Sequence, residues 1–189
     1  MDENLMLALG IGLGYLLLTD SPLIKPITGV FMSTPSTPGT FDKLEPVPPM
    51  PSNWQLPAAA DPYLSTINQA TRNHKLPPKL LGRLLYQESR FRPDIISGKT
   101  ISSAGAIGIA QIVPKWHPNV NPRDPHASIH YAGFYLAQLQ KQFGNWKDAL
   151  AAYNWGPGNL GKFKKGQLKT MPKETINYVA QISRDVPVV

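Results

Sequence analysis

The sequence predicts a mainly α-helical fold. A single helical domain over residues 63–189 should follow an apolar N-terminal segment (1–24) and a proline-rich tether (25–62). Three observations lead there. Apolar residues recur at three- and four-residue spacings after Tyr63, with no alternating run of useful length beside them, so helices rather than strands must build the core. Ten of the 20 prolines fall between Pro22 and Pro62. Charge divides at the same place: residues 1–62 hold two Lys against six acids, and residues 63–189 hold 17 Lys and Arg against six acids. A chain of 189 residues has room for one ordinary domain plus appendages, and it contains no internal repeat.

A domain this basic needs an acidic counterpart, which could be nucleic acid, an anionic membrane or an acidic polymer such as a bacterial cell wall. No zinc pattern, basic heptad helix or glycine-aromatic RNA-binding signature is present, so no nucleic-acid partner is expected. Cysteine is absent, which removes disulfides, a thiol nucleophile and Cys-containing metal sites and leaves the redox compartment open. His74, His117, His126 and His130 make no metal pattern. His126 and His130 stand one turn apart without a third ligand nearby, and solvent-facing positions account for them.

Residues 5–18, LMLALGIGLGYLLL, form an uncharged run of 14 residues. A full membrane span takes about 20, and runs of this length are more often signal-peptide cores or interfacial segments. Asp2 and Glu3 precede it and TDSPLIKP follows, unlike the basic start and small-residue cleavage site of a signal peptide, so a retained membrane-associated helix is expected. Gly10 and Gly14 lie one turn apart, as in helices that approach closely in lipid, or are simply flexible points in an apolar run. The nearest flanking cation, Lys25, lies on the C-terminal side and would hold the rest of the chain in the cytoplasm. The composition of residues 33–62 suits an extended, semi-rigid tether, within which Trp54 and Leu56 are candidates to dock on the domain.

In the domain, Tyr63, Ile67 and Ala70 share one helical face, and Pro77 and Pro78 restart the chain before a helix from Leu80. Asp124 is the expected N-cap of a helix to Phe143, with Pro125 at its first position, Ile129, Ala132, Gly133, Leu136 and Leu139 inward, and Gly144 as its stop. Trp146–Trp155 and Glu174–Ser183 are the remaining helices.

Leu80, Leu81, Leu84 and Leu85 form an apolar stripe, and four residues beyond Leu84 comes Glu88. A carboxylate on a buried stripe is desolvated, and the negative end of the helix dipole acts in the same direction, so its pKa should rise toward the range of a general acid. The competing account is a structural ion pair with Arg83, Arg90 or Arg92.

Four segments, YQESRFRPDIIS, GAIGIAQIVP, AAYNWGPGNL and ETINYV, resemble in order the motifs of the lytic transglycosylases of the soluble-lytic type, whose lysozyme-like fold is close to goose-type lysozyme. The resemblance spans residues 64–184 and includes a family-like helix, DPHASIHYAGFYL, between the second and third motifs. It implies that Glu88 is the sole catalytic acid and base and that Ser89 steadies its helix end. It also implies that Gln111 lines the cleft, with Gly105, Ala106 and Gly108 admitting close approach, and that Tyr153 and Asn154 contact the reacting sugar and its neighbour. Tyr178 would direct its hydroxyl to Glu88; amphipathic core packing is the other account of both tyrosines. Trp155, where the family often has a small residue, either stacks on a sugar or caps the core. Ala110 stands where Met is frequent. One Ser usually meets both the spacing after the Glu and the spacing before the Gln. Here Ser97 meets the first and Ser102 the second, because about five residues, GKTIS, intervene, so the resemblance implies that one of the two belongs to the substrate site beside Glu88 and leaves open which.

The implied reaction is non-hydrolytic cleavage of the β-1,4 bond between N-acetylmuramic acid and N-acetylglucosamine in peptidoglycan glycan strands, leaving 1,6-anhydro ends without a cofactor or metal. The other acids, Asp94, Asp124, Asp148, Glu174 and Asp185, include several at helix starts, where capping explains them. The alternatives are a hydrolytic goose-type muramidase and a non-catalytic peptidoglycan-binding structural protein. The expected setting is the periplasm or cell envelope, with residues 5–18 on the lipid membrane. Delivery in a bacteriophage virion, among virion or envelope-complex proteins, would resolve the conflict posed by Lys25.

Overall fold

The computed structural model describes residues 53–188. The apolar run 5–18 and the tether up to residue 52 lie outside the described residues. A 3-10 helix (Ala58–Tyr63) leads into α1 (Leu64–Asn73), α2 (Leu80–Ser89) and α3 (Pro93–Ile96). After a long loop come α4 (Pro125–Phe143), α5 (Trp146–Trp155), α6 (Pro157–Lys164) and α7 (Lys173–Asp185). Among the described residues no strand forms; the one extended pairing is an isolated antiparallel bridge between Ile107 and Ile112. The mainly helical expectation is met.

The middle of the fold is α2. Leu80, Leu81, Leu84 and Leu85 are fully buried, and Gly82, Arg83, Glu88 and Ser89 are buried as well, so the helix is enclosed on more than its leucine stripe. It packs against α1, α4 and α7, while α4 and α5 pack together and α5 also meets α6 and α7. Ile129, Leu136, Leu139, Leu150, Leu160 and Ile182 complete the core.

Local chemistry sets the ends of α4 and α5. Asp124 Oδ1 accepts from His126 N at 2.9 Å and Ala127 N at 3.0 Å. Pro125 occupies the first turn, and Gly144 closes α4 at φ 86°. Asn145 Oδ1 caps α5 by accepting from Asp148 N at 2.8 Å. Helices α3 and α6 gave no periodic signal, because each contributes too few buried apolar positions (Ile95 and Ile96, and Leu160) to register as a period; only Pro93 and Pro157 in their first turns mark them.

The packed region begins before Tyr63, the expected boundary. Leu56 lies against Gly82, where an added Cβ would stand 3.0 Å from both of its methyl carbons. Trp54 meets Tyr86 at 6.1 Å between ring centroids and the Arg83 guanidinium at 5.7 Å, and its carbonyl accepts from Lys79 Nζ at 3.2 Å. Ala60 is fully buried. Residues 54–60 thus form a strap across the catalytic-candidate helix, admitted by the missing side chain at Gly82.

Candidate active site

Glu88 sits in the last turn of α2, 3% exposed. The hydroxyl of Tyr178 on α7 donates to Glu88 Oε1 at 2.5 Å. Burial pushes the carboxyl up to about 8; the Tyr178 hydrogen bond opposes that rise, and the charge of Glu174 adds to it. The group is therefore mainly protonated at neutral pH. An arginine ion pair is not what the geometry provides. Arg83 Nε donates to Asp185 Oδ2 at 2.8 Å, Arg92 pairs with Asp94 at 2.7 Å, and the Arg90 guanidinium lies 4.6 Å from the Tyr86 ring centroid.

The chain turns sharply after Glu88. Arg90 (φ 53°) and Phe91 (φ 55°) are consecutive left-handed residues, a conformation costing of order 1 kcal/mol or more per side-chain-bearing residue. Ser89 holds that turn from inside: its hydroxyl donates to Leu85 O at 3.0 Å and accepts from Phe91 N at 3.2 Å. Buried Phe91 stacks on Tyr63 at 6.2 Å, which ties the turn to the end of the 3-10 helix.

The loop 105–112 is closed by paired backbone hydrogen bonds of 2.9 Å between Ile107 and Ile112. Gly108, at φ 79°, is the position that requires glycine: a Cβ there would stand 1.9 Å from Pro122 O. Gln111 is 6% exposed with φ 47°, and its amide nitrogen donates to Gly108 O at 3.0 Å, so its side chain is folded into its own loop. From α5, the Tyr153 hydroxyl donates to Ala110 O at 3.0 Å. Asn154 Oδ1 accepts from Thr175 Oγ1 at 2.8 Å, joining α5 to α7. Burial and the nearby Glu88 charge push the Tyr153 phenol well above its ordinary value.

Glu88, Ser89, Gln111, Tyr153, Asn154 and Tyr178 therefore lie on a connected set of elements: α2, the loop 105–112, α5 and α7. Ser97, just before GKTIS, and Ser102, its last residue, engage their own turns. Ser97 is exposed and donates to Asp94 O at 3.3 Å, within a turn where Thr100 donates to Asp94 Oδ2 at 2.8 Å. Ser102 accepts from Ala106 N at 2.9 Å and so braces the start of the glycine-rich loop. Among the described residues neither hydroxyl hydrogen-bonds to Glu88. Trp155 is 8% exposed and packs edge-on to Phe163 at 6.1 Å, which makes it a core cap rather than an open face.

Sequence reasoning passed over two features. Glu174 stands one turn before Tyr178 on α7, and its charge is felt at Glu88; the four-residue spacing was the available signal. Tyr131 and Tyr135 share the same spacing on α4, and with His117 they form an aromatic group against Tyr153. Among the described residues no group of three or more His, Cys, Asp or Glu could hold a metal ion.

The arrangement of helices is that of the lysozyme-like lytic transglycosylases. An inactive mutant of the lytic transglycosylase Slt from Pseudomonas aeruginosa matches with a TM-score of 0.53 at 23% identity. The 70 kDa soluble lytic transglycosylase SLT70 from Escherichia coli matches with a TM-score of 0.52 at 26% identity. Each match covers 65% of this chain but spans only 23% of the larger enzyme. The Transglycosylase SLT domain family matches residues 65–176, more than half of the chain. The chain belongs to that family.

Proposed function

We propose that the protein is a peptidoglycan lytic transglycosylase that cleaves the β-1,4 bond between N-acetylmuramic acid and N-acetylglucosamine and leaves 1,6-anhydromuramic ends. The observation that carries this reading is the state of Glu88: buried, hydrogen-bonded by Tyr178 and pushed up to about 8, hence a proton donor at neutral pH.

The Glu88 carboxyl donates its proton to the glycosidic oxygen as the bond from the muramyl anomeric carbon to that oxygen breaks, releasing the N-acetylglucosamine side as an alcohol. The acetamide oxygen of the muramyl sugar supports the electron-poor anomeric carbon. Glu88, now a carboxylate, removes the proton from the muramyl C6 hydroxyl, whose oxygen bonds to the anomeric carbon, closes the anhydro ring and restores the acid. One carboxyl group serves both steps, whereas most glycosidases use two. In this scheme Tyr178 steadies the transient carboxylate, and Ser89 keeps the sharp turn that presents it. Tyr153 and Asn154 meet the reacting sugar and its neighbour. Gln111, with Gly105, Ala106 and Gly108, forms the cleft wall, which Ser102 braces at its entry.

Mass spectrometry of the muropeptides released by the full chain tests the reading: anhydro ends support it, and intact wall refutes it. Reducing ends would support the hydrolytic goose-type reaction instead. A silent cell-wall zymogram with retained wall binding would make the protein a structural binder.

We place the action at the cell envelope, with residues 5–18 on lipid and carriage in a virion as the delivery route that meets the Lys25 problem. Among the described residues no helix is long and apolar enough to cross a membrane. Vesicle flotation of the full chain against a chain beginning at residue 25 tests the lipid contact.

A further inference from the structure

Four tyrosines surround or lead away from Glu88, and three have their hydroxyls engaged within the protein. Tyr178 donates to Glu88, Tyr153 donates to Ala110 O, and Tyr131 Oη lies 2.7 Å from His117 Nδ1. Tyr135 is the exception. Its half-buried ring lies 5.8 Å from that of Tyr153, yet its hydroxyl has no hydrogen-bond partner among the described residues. Burial pushes this phenol up to about 12, so it stays protonated and able to donate.

The ring is held firmly. Tyr131 stacks on it at 6.0 Å with 13° between planes, and His117 meets it edge-on at 4.9 Å. Burial lowers the pKa of His117, which keeps that ring neutral and the packing free of a fixed charge. A rigid ring with an apolar face and a polar tip suits a hexose, which presents C–H groups on its faces and hydroxyl or acetamide groups at its edge.

We propose that Tyr135, braced by His117 and Tyr131, is a substrate-binding residue. It would contact an N-acetylated hexosamine of the glycan strand next to the sugar held at Tyr153, with its hydroxyl hydrogen-bonded to that unit. The inference rests on the glycan-cleaving reading above.

The test uses the full chain carrying Glu88→Gln, with N-acetylchitopentaose as the probe, titrated by calorimetry with and without Tyr135→Phe. Loss of one neutral hydrogen bond should weaken binding about five-fold. In the chain that retains Glu88, Tyr135→Phe should raise KM for glycan strands by a similar factor with kcat held near its original value. A lower melting temperature with unchanged affinity would make the hydroxyl structural and overturn the proposal. Unchanged KM in a chain that still cleaves wall overturns this inference alone. A chain that neither cleaves wall nor binds the pentasaccharide overturns the functional reading along with it.

Discussion

The Tyr178 hydroxyl reaches Glu88 Oε1 at 2.5 Å from 90 positions further along the chain, and this one hydrogen bond joins α7 to the end of the central helix. It is also the contact that opposes the burial-driven rise in the Glu88 pKa. Tyr178→Phe should therefore push that pKa higher still, moving the alkaline limb of the pH–rate profile upward. Stability should fall by about 1–2 kcal/mol, the scale of a lost hydrogen bond to a buried group, as read by denaturant titration. Turnover should fall at least ten-fold, because the transient carboxylate loses its donor.

Glu88→Gln should abolish wall cleavage while preserving the fold, since the amide oxygen can still accept from Tyr178. Wild-type-like turnover in this variant would remove Glu88 from the mechanism.

The pH dependence of stability has a definite sign. The folded pKa, about 8, exceeds the ordinary carboxyl value of 4.5, so between those values the folded state holds a proton that the unfolded state has released. Stability contributed by this group is fully present below about 4.5 and is lost as pH rises toward 8, by at most about 1.4 kcal/mol per pH unit. The melting temperature of Glu88→Gln relative to the unsubstituted chain should thus increase between pH 5 and pH 8. A constant difference would show that Glu88 is not protonated in the folded protein.

Gly108→Ala places a Cβ 1.9 Å from Pro122 O at a φ of 79°, so backbone must move. A loss of about 3 kcal/mol or more is expected, with cleavage reduced further because Gln111 and the carbonyl that holds Tyr153 belong to the same loop. Gly105→Ala, whose Cβ would meet nothing within 4 Å, should cost less. Thermal melts of the two variants make the comparison.

Deleting residues 53–62 should lower the melting temperature by several degrees, because the strap covers α2 at Gly82, Arg83 and Tyr86. Leu56→Ala alone should cost about 1–2 kcal/mol, as expected for truncating a half-buried leucine.

Helix type and position were largely legible in the sequence. Asp124, Pro125 and Gly144 mark the ends of α4 through interactions within a few residues, and the leucines of α2 announce burial through local spacing. The strap was legible only in part: Trp54 and Leu56 stood out as apolar docking candidates in a proline-rich stretch, and both do pack on α2, but that stretch's composition suits an extended tether and says nothing of where they land. Only packing against distant residues reveals their role.

The same division runs through the candidate site. By itself, the sequence determined a mainly helical domain with Glu88 on a buried stripe, because helical period and capping are short-range properties. It left open whether Glu88 is paired with an arginine, where Ser97 and Ser102 point, and whether Trp155 faces outward. The tertiary structure decided these. Arg83 turns to Asp185 across 102 positions, Glu88 turns to Tyr178, Ser97 and Ser102 brace their own turns, and Trp155 closes on Phe163. Partner choice among buried polar groups depends on which helices meet and at what register, and no local pattern of residues encodes that.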